Sequence, residues 1–270
     1  MTAIDSVGIG AELRYGVDGA RLSPLVAACV RELSPDGATF DFLERQVSQH
    51  QGRLKWAAHA VLRGWCSDFT VNGLLGTYRL HLLSALQWQS LLGAGNGHLL
   101  DVGAGVGDVT AELMRAFDDV LAVETVASLV HRLKSAGIPA VRADLTHMAV
   151  PGAPYDAISL LNVLDRCGRP RTLLAKLVAA LRPHGQLIVS MPLPYDPIHC
   201  NGRRTHEPSE RLPLGRGPWE EQVELLVARV LEPAGLELES VSRAPYLSEG
   251  DRSMAFYELD AAIVICRRAA

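Results

Sequence analysis

A glycine-rich segment, LLDVGAGVGDVT at residues 99–110, has the residue types and spacing most suggestive of chemistry. An apolar run precedes Gly103, Gly105 and Gly107, and a helix-like pattern follows them, so the glycines form a turn between a strand and a helix. Glycine lets the backbone turn tightly and approach a ligand closely. The spacing G-x-G-x-G differs from the dinucleotide fingerprint G-x-G-x-x-G, because Asp108 stands where the last glycine belongs. The segment therefore predicts a ligand-binding turn and disfavours a nicotinamide dinucleotide.

Acidic residues accompany this turn at the ends of successive predicted strands. Asp101 lies inside the end of the strand before the glycines, Glu124 ends the next strand, and Asp144 ends the third. An anion beside the glycines would repel a pyrophosphate but suits a ligand with a sulfonium or ammonium group. Glu124 has the spacing to accept both hydroxyls of a ribose, and Asp144 could accept a hydrogen bond from an adenine amino group. Together these properties predict S-adenosylmethionine, which has a sulfonium, an α-ammonium and no phosphate.

Other catalytic motifs are absent from the sequence. It contains no phosphate-binding G-x-x-x-x-G-K-[ST] loop, no H-E-x-x-H zinc motif and no G-x-S-x-G nucleophile elbow. The predicted strand ending in LLNVLD (160–165) lacks the Asn/Asp-Pro-Pro-aromatic motif of adenine amino-group methylation, and no Pro-Cys pair could supply a nucleophile for cytosine methylation. Three possibilities stay open for a chain that binds this cofactor: methyl transfer to a protein, methyl transfer to a small molecule, and binding without catalysis.

The pattern after residue 96 alternates between apolar strand-like runs and amphipathic helix-like segments. Such alternation predicts a parallel α/β sheet that is covered on both faces and binds ligands beyond the carboxyl ends of its strands. The predicted strands are 98–103, 120–124, 139–144, 155–162, 185–192, 236–245 and 257–268, and the predicted helices are 109–117, 127–137, 170–183 and 219–235. The last two strands follow each other without a helix, which predicts an antiparallel hairpin at the sheet edge.

The first third of the chain is predicted to be mainly helical. The predicted helices are 22–33, 39–50, 53–65 and 81–92. In the first of these, Ser23 is a good N-cap residue and Pro24 suits the first helical position. We therefore predict an N-terminal helical extension, 1–95, and a Rossmann-like core, 96–270. We expect the extension to pack over the cofactor end of the sheet and to cover the substrate.

Composition and charge argue against several classes of partner. The chain has 270 residues with 26 basic and 30 acidic side chains, without the basic surface typical of nucleic-acid binding. No apolar run is long enough to span a membrane, and the N-terminus lacks the basic start of a secretion signal. Five cysteines without a C-x-x-C pair, and nine scattered histidines, predict neither a disulfide framework nor a metal site. We therefore expect a cytoplasmic protein that binds neither nucleic acid nor membrane and holds no metal.

Several motifs occur together and in the order found in one known family. Besides LLDVGAGVGDVT they are LLNVLDRC, WEEQV, RAPYLSEGD and FYELDAAIVI. Through them, residues 20–268 resemble the DREV family, also called methyltransferase-like protein nine. The segment DFTVNGLLG at 68–76 is similar to the family's segment before the core. Residues 194–200, PYDPIHC, depart from the family's pattern Pro-aromatic-x-Pro-Tyr-Val-Glu.

The resemblance implies a class I seven-strand methyltransferase fold and a protein-histidine methyltransferase. The family modifies the pros nitrogen of histidine in motifs where histidine alternates with small residues, here written His-x-His. By its motifs, Asn162, Asp165 and Tyr257 would be catalytic residues of the histidine pocket, with Asp165 accepting the tele N–H so that the pros nitrogen becomes the nucleophile. With the glycine turn and the strand-end acids, the expected cofactor site comprises Asp101, Gly103, Ala104, Gly105, Glu124, Thr125, Asp144, Asn162 and Tyr246.

Overall fold

The computed structural model describes residues 13–49, 71, 75, 78–201, 204–251 and 253–269. Among them the helices are α1 (Pro24–Ala28), α2 (Gly37–Gln49), α3 (Ala85–Leu92), α4 (Asp108–Leu113), α5 (Ala127–Ser135), α6 (Pro170–Ala180) and α7 (Trp219–Leu226). The strands are β1 (Leu80–His81), β2 (His98–Val102), β3 (Asp119–Glu124), β4 (Ala140–Arg142), β5 (Tyr155–Leu161), β6 (Leu181–Pro192), β7 (His199–Asn201), β8 (Arg204–His206), β9 (Leu236–Glu249) and β10 (Phe256–Arg268). A π-helical segment, Val227–Leu231, continues α7.

An eight-stranded mixed sheet has the order β1-β9-β10-β6-β5-β2-β3-β4. Strands β4, β3, β2, β5 and β6 are parallel. Strand β10 runs antiparallel between β6 and β9, which confirms the predicted hairpin and the class I methyltransferase fold. The predicted place of the hairpin at the sheet edge is wrong, because an eighth strand, β1, pairs with β9 beyond it. The order of connections reverses between β2 and β5, and such a switch point is where α/β sheets bind ligands.

Both faces of the central strands are buried. Successive side chains of a strand point to opposite faces, so Leu99 packs with Trp88 of α3 on one face and Leu100 packs with Leu177 of α6 on the other. Helices α3 and α4 cover the first face, and α6 and α7 cover the second. Because both faces of these strands are buried, their sequences are nearly continuous runs of apolar residues.

Helix α1 ends earlier than its apolar pattern predicts. Ser23 is its N-cap, as expected, because the hydroxyl accepts a hydrogen bond from a backbone N–H three residues on, at 3.4 Å. The predicted helix 22–33 is wrong beyond residue 28. The chain there forms a parallel bridge between Val30 and Val241, and the Arg31 N–H donates to the Val241 carbonyl at 2.8 Å. Pairing with β9 therefore overrides the local helical pattern.

The predicted helix 81–92 also begins later than expected. Leu80 and His81 form β1 against β9, so helix α3 starts only at Ala85. Ser84 caps it with a capping box: the Ser84 hydroxyl accepts from the Gln87 N–H, and the Gln87 side chain accepts from the Ser84 N–H. The start of the helix is thus set by sheet pairing and by the cap together.

Asp36 connects the starts of two helices. Its Oδ1 accepts hydrogen bonds from the Thr39 N–H and hydroxyl, both at 3.1 Å, at the beginning of α2. Its Oδ2 accepts one from the Ser84 hydroxyl at 2.5 Å, at the beginning of α3. Burial raises the pKa of Asp36, but the Ser84 and Thr39 donors outweigh this effect and lower the pKa below its ordinary value. Folding therefore favours the ionised carboxylate.

Part of the N-terminal third is integrated into the main sheet. Strand β1 extends the sheet, and Trp88 of α3 is fully buried in the core. The predicted helix 53–65 lies outside the described residues, and a domain division at residue 95 stays a prediction. In the described part of the chain, no helix combines the length and the apolar character needed to cross a membrane.

Replacing Asp36 with alanine is expected to lower the free energy of unfolding by about 1–2 kcal/mol, because two helix starts lose their acceptor. Since the folded-state pKa of Asp36 is lowered, its contribution is complete above the ordinary carboxyl range and is lost as the pH falls through the lowered value. Urea unfolding at neutral pH and at successively lower pH measures both effects. The control is Asp41→Ala at an exposed position of α2; equal losses in the two variants would contradict the capping role.

Candidate active site

The glycine turn carries the chain from β2 into α4 through left-handed backbone conformations. Gly103, Gly105 and Gly107 have φ angles of 76°, 56° and 89°, which favour glycine. Space is also limited at Gly103, where a Cβ atom would lie 2.6 Å from Cγ2 of Val163. Gly103 is itself exposed, so its backbone is open to a ligand. The turn therefore packs directly against the segment that follows β5.

Glu124, at the end of β3, is buried and fixes the glycine turn from the side. Its Oε2 accepts a hydrogen bond from the Gly105 N–H at 3.2 Å. Its Oε1 accepts from the N–H groups of Thr125 at 2.6 Å and Val126 at 3.2 Å, and from the Thr125 hydroxyl at 3.1 Å. A carboxylate oxygen with one donor can accept another. Oε2 can therefore take a ligand hydroxyl beside the turn, as predicted for the ribose.

Asp101 is buried under the turn, and both of its oxygens have protein partners. Oδ1 accepts from the Ser159 hydroxyl of β5, and Oδ2 accepts from the Thr110 hydroxyl of α4, each at 2.6 Å. Burial raises the pKa of Asp101, and the two hydroxyl groups oppose the rise. The carboxylate thus joins three elements around the turn. A direct contact with the cofactor stays a prediction.

Three further residues that the sequence predicts in the cofactor site, Ala104, Thr125 and Asp144, are partly or fully exposed in this region. Strand β4 ends at Arg142, so the exposed Asp144 stands two residues beyond it, where Oδ1 accepts from the Thr146 N–H at 2.9 Å and from the Thr146 hydroxyl at 2.5 Å. Ala104 is half-buried, and its carbonyl accepts a hydrogen bond from within the glycine turn at 3.0 Å. Thr125 is exposed, and its carbonyl accepts from Nε of Arg142 at 3.0 Å. Their contacts with the cofactor also stay predictions.

Asn162 follows β5 in an uncommon backbone conformation, with a φ of 56°. Its N–H donates to the Ser190 carbonyl at 2.9 Å, and its Oδ1 accepts from the Ser190 hydroxyl at 2.5 Å, which ties it to β6. Its Nδ2 is buried and has no hydrogen-bond partner. A positive φ in a non-glycine residue is a strained arrangement that is found preferentially at functional sites. The unused donor makes Asn162 able to bind an acceptor of a ligand.

Asp165 is a buried carboxylate with one unpaired oxygen. Its side chain is 3 % exposed, and Oδ2 pairs with Nε of Arg166 at 2.9 Å. Oδ1 is buried and has no hydrogen-bond partner. Burial raises the pKa of Asp165, and the Arg166 guanidinium opposes the rise. Since an unpaired buried oxygen costs free energy, Oδ1 is well suited to accept a hydrogen bond from a ligand.

The structure brings Tyr246 close to Asn162 and Asp165. Burial raises the pKa of the Tyr246 hydroxyl, the Asp165 carboxylate raises it further, and the Asn162 side chain opposes the rise. Tyr257 has a different environment. It lies opposite Ser248 in the hairpin, its side chain is 38 % exposed, and its hydroxyl donates to Oδ2 of Asp251 at 2.8 Å. Of the predicted catalytic residues, Asn162 and Asp165 therefore form one cluster, whereas the Tyr257 hydroxyl is engaged by the hairpin turn.

Some residues that position the site were not recognised from the sequence. Thr110 and Ser159 bind Asp101, Ser190 binds Asn162, and the buried Tyr195 has its pKa raised by burial and, in part, by Asp165. Single hydroxyl residues have no characteristic spacing, and their partners are distant in the chain. No signal in one sequence could have identified them.

The residues around the turn fit S-adenosylmethionine. Glycines with positive φ let a ligand approach the backbone, and Glu124 keeps capacity for a hydroxyl. Carboxylates stand on two sides of the turn, which suits a ribose and a cationic group better than a phosphate. This agrees with the cofactor predicted from the sequence.

A comparison with protein families gives a match to the DREV methyltransferase family over residues 15–268. The chain belongs to the DREV methyltransferase family. The match includes the glycine turn, the segment with Asn162 and Asp165, and both strands of the hairpin. The family is one of methyltransferases, and its cofactor is S-adenosyl-L-methionine.

One curated relative of this DREV methyltransferase is named for a small molecule. The trans-aconitate 2-methyltransferase of Azoarcus sp. (strain BH72) is 34% identical over 141 residues, which are 50% of this chain and 50% of that protein. The match thus spans about half the length of that relative.

Solved structures of methyltransferases are also similar. The N-methyltransferase NodS from Bradyrhizobium japonicum WM9, in complex with S-adenosyl-L-homocysteine, is 14% identical, with 69% of this chain and 86% of that chain covered and a TM-score of 0.44. A TehB-like SAM-dependent methyltransferase from Corynebacterium glutamicum ATCC 13032 is 17% identical, with 68% of this chain and 86% of that chain covered and a TM-score of 0.45.

Replacing Gly103 with alanine is expected to weaken cofactor binding by about tenfold or more, because the new Cβ needs both a φ of 76° and the space taken by Val163. The matched control is Gly137→Ala, where φ is 80° but nothing lies within 4 Å of a Cβ. Both variants should lose about 1 kcal/mol of stability from the backbone conformation. Calorimetric titration with S-adenosylmethionine measures the affinities; equal affinities in the two variants would argue against the close approach at Gly103.

Proposed function

We propose that this DREV methyltransferase methylates the pros nitrogen of histidine in a protein or peptide, in His-x-His motifs. The observation that supports the proposal is the unpaired Oδ1 of the buried Asp165. An imidazole N–H is a donor that such an oxygen accepts. The contact between Val163 and Gly103 puts the segment that carries Asp165 beside the cofactor turn. A histidine bound to Asp165 would therefore lie near the methyl donor.

For methyl transfer to histidine, the enzyme must select the imidazole tautomer and align the ring with the methyl group; it does not need a strong base. When bound, S-adenosylmethionine supplies a methyl group on a sulfonium. Histidine has an ordinary pKa of about 6.5, so most of the substrate is already neutral at pH 7. By accepting the tele N–H, Asp165 would leave the lone pair on the pros nitrogen. The same carboxylate would stabilise the positive charge that grows on the ring.

The neighbours of Asp165 would orient the substrate. Asn162 has a buried Nδ2 without a partner, which would donate to the substrate or to the cofactor. Tyr246 lies near both residues, as its pKa shift indicates. Tyr257, an exposed residue whose hydroxyl is engaged by Asp251, would contact the substrate through its ring. Fixed alignment of two reactants can contribute roughly 7–11 kcal/mol to catalysis.

Methylation of a small molecule is the alternative substrate class. It is favoured by the similarity to a trans-aconitate 2-methyltransferase, whose name gives trans-aconitate, an anionic small molecule, as the substrate. The free Oδ1 of Asp165 can accept a hydrogen bond but cannot donate one when ionised, so it does not match the carboxylate oxygens of an anionic acceptor. The site of this chain therefore favours a hydrogen-bond donor with a basic nitrogen.

Transfer from labelled S-adenosylmethionine to a panel of acceptors separates the two classes. The panel contains His-Ala-His peptides, their alanine-substituted controls, free histidine derivatives and trans-aconitate. We expect incorporation only into peptides that contain histidine. Preferred incorporation into trans-aconitate or a free histidine derivative would favour the small-molecule class instead.

Replacing Asp165 with asparagine is expected to lower kcat/KM for a His-x-His peptide by about 100-fold or more, because the tautomer and the developing charge lose their acceptor. Cofactor affinity should change little, and calorimetric titration checks this. Asp196→Asn is the control, because the Asp196 side chain is 75% exposed in the segment after β6. Near-normal turnover of the Asp165 variant would exclude the tautomer role.

The pH dependence provides an independent check. Both the substrate histidine and Asp165 must be deprotonated, so kcat/KM is expected to fall as the pH is lowered. Burial raises the pKa of Asp165, which moves its protonation toward the range in which histidine titrates. As the pH is lowered, kcat/KM should therefore fall more steeply in the native enzyme than in Asp165→Asn, where only the substrate histidine is protonated. Identical limbs in both proteins would show that Asp165 does not titrate with activity.

A further inference from the structure

A cavity of about 560 Å³ lies on the hairpin, between the N-terminal segment 13–16 and the side chains of Arg243, Glu258 and Asp260. The register pairs Ala262 with Arg243 and Asp260 with Pro245, so these three side chains project from one face of the hairpin. Tyr246 and Tyr257 are at alternate positions and project from the other face. The cavity is thus separate from the Asp165 cluster, although it lies at the same end of the sheet.

The two arginines at this cavity, Arg243 and Arg14, interact with other groups of the protein. Arg243 donates to both oxygens of Asp260, through Nε at 2.9 Å and Nη2 at 2.6 Å, and its Nη1 donates to the Gly16 carbonyl at 2.9 Å. Its guanidinium also lies 5.1 Å from the centre of the Trp219 ring. Arg14 is near the same Asp260 carboxylate at 3.5 Å and is 66% exposed. Arg243 also lies 3.6 Å from the Glu220 carboxylate, so the two arginines balance the charges of Asp260 and Glu220.

Two side chains that line the cavity have a buried oxygen able to accept a hydrogen bond. Oε1 of Glu258 and the hydroxyl oxygen of Tyr15 are buried and have no hydrogen-bond partner. Burial raises the pKa of Tyr15 to about 12; the Thr39 side chain opposes the rise, and the Asp36 and Glu258 carboxylates add to it. Burial also raises the pKa of Glu258, and Arg14 only partly offsets it. A donor with a positive charge would satisfy both oxygens and offset the burial of the carboxylate.

We propose that this cavity is a subsite for a cationic side chain, an ammonium or a guanidinium, on the peptide whose histidine is methylated. The assignment rests on the proposed function for its substrate, but the site itself does not share a residue with the Asp165 cluster. Glu258 is the anion of the subsite, Tyr15 is a second acceptor, and the apolar stem of the cation packs beside Leu13.

The sheet order sets the reach that the peptide needs. Asp165 follows β5, and β10, which carries Glu258, is two strands away in the order β5-β6-β10. Neighbouring strands are about 4.8 Å apart, so the lateral distance is roughly 10 Å. An extended chain covers about 3.3 Å per residue, which puts the basic residue about three or more positions from the methylated histidine.

Matched peptides test the subsite by their KM values. Each contains His-Ala-His and either arginine or its neutral isostere citrulline, placed about three to six positions away on either side. In the native enzyme, arginine at one or more of these positions is expected to lower KM by about tenfold relative to citrulline, with similar kcat. In Glu258→Gln this difference should disappear. It should persist in Glu237→Gln, an exposed carboxylate at the opposite end of the hairpin.

Several results would overturn the proposal. They are equal KM values for arginine and citrulline peptides at every position, a difference that survives in Glu258→Gln, or a lower KM for a glutamate-substituted peptide, which would indicate an anion site at Arg14. Any of these leaves histidine methylation itself intact.

If no histidine peptide is methylated and the proposed function fails, a binding measurement still tests whether the cavity binds a cation. Nuclear magnetic resonance titrations compare n-butylguanidinium with the neutral n-butylurea on the native protein and on Glu258→Gln. Binding of the guanidinium alone, lost in the variant, supports the cation subsite. No preference for the guanidinium, or an unchanged affinity in Glu258→Gln, overturns it.

Discussion

The position of the cofactor turn depends on one buried carboxylate, Asp101. A carboxylate buried without partners would cost several kcal/mol, so its two hydroxyl donors are a condition for folding here. They come from Thr110 in α4 and Ser159 in β5, while Asp101 itself belongs to β2. This one side chain therefore holds β2, β5 and α4 together at the switch point. The glycine turn joins β2 to α4, so its position is fixed as well.

The carboxylates around this point differ in how completely the protein satisfies them. Both oxygens of Asp101 accept hydroxyl groups. Glu124 has three donors on one oxygen and one on the other. Asp165 has an arginine on one oxygen and no partner on the other. Unused acceptor capacity is thus greatest at Asp165, the carboxylate that we assign to the substrate, where one oxygen has no donor.

The order of the elements could be predicted from the sequence, but several of their ends could not. Strands β2 and β5 have nearly continuous apolar sequences because both faces of the sheet are covered. Such a sequence can be recognised without knowing its distant partners. The C-terminal end of α1 and the start of α3 are influenced by pairing with β9, which lies more than 150 residues away in the chain. In the site, the acids at strand ends were recognisable by type and spacing. The φ of 56° at Asn162 and the open oxygen of Asp165 follow from tertiary packing alone.

The most direct test of the account is mass spectrometry of a His-x-His peptide after incubation with the purified protein and S-adenosylmethionine, with pros- and tele-methylhistidine separated chromatographically after hydrolysis. If Asp165 accepts the tele N–H, the product is pros-methylhistidine. A tele-methylated product, or methylation of residues other than histidine, would contradict the assignment of the unpaired Asp165 oxygen to the substrate ring.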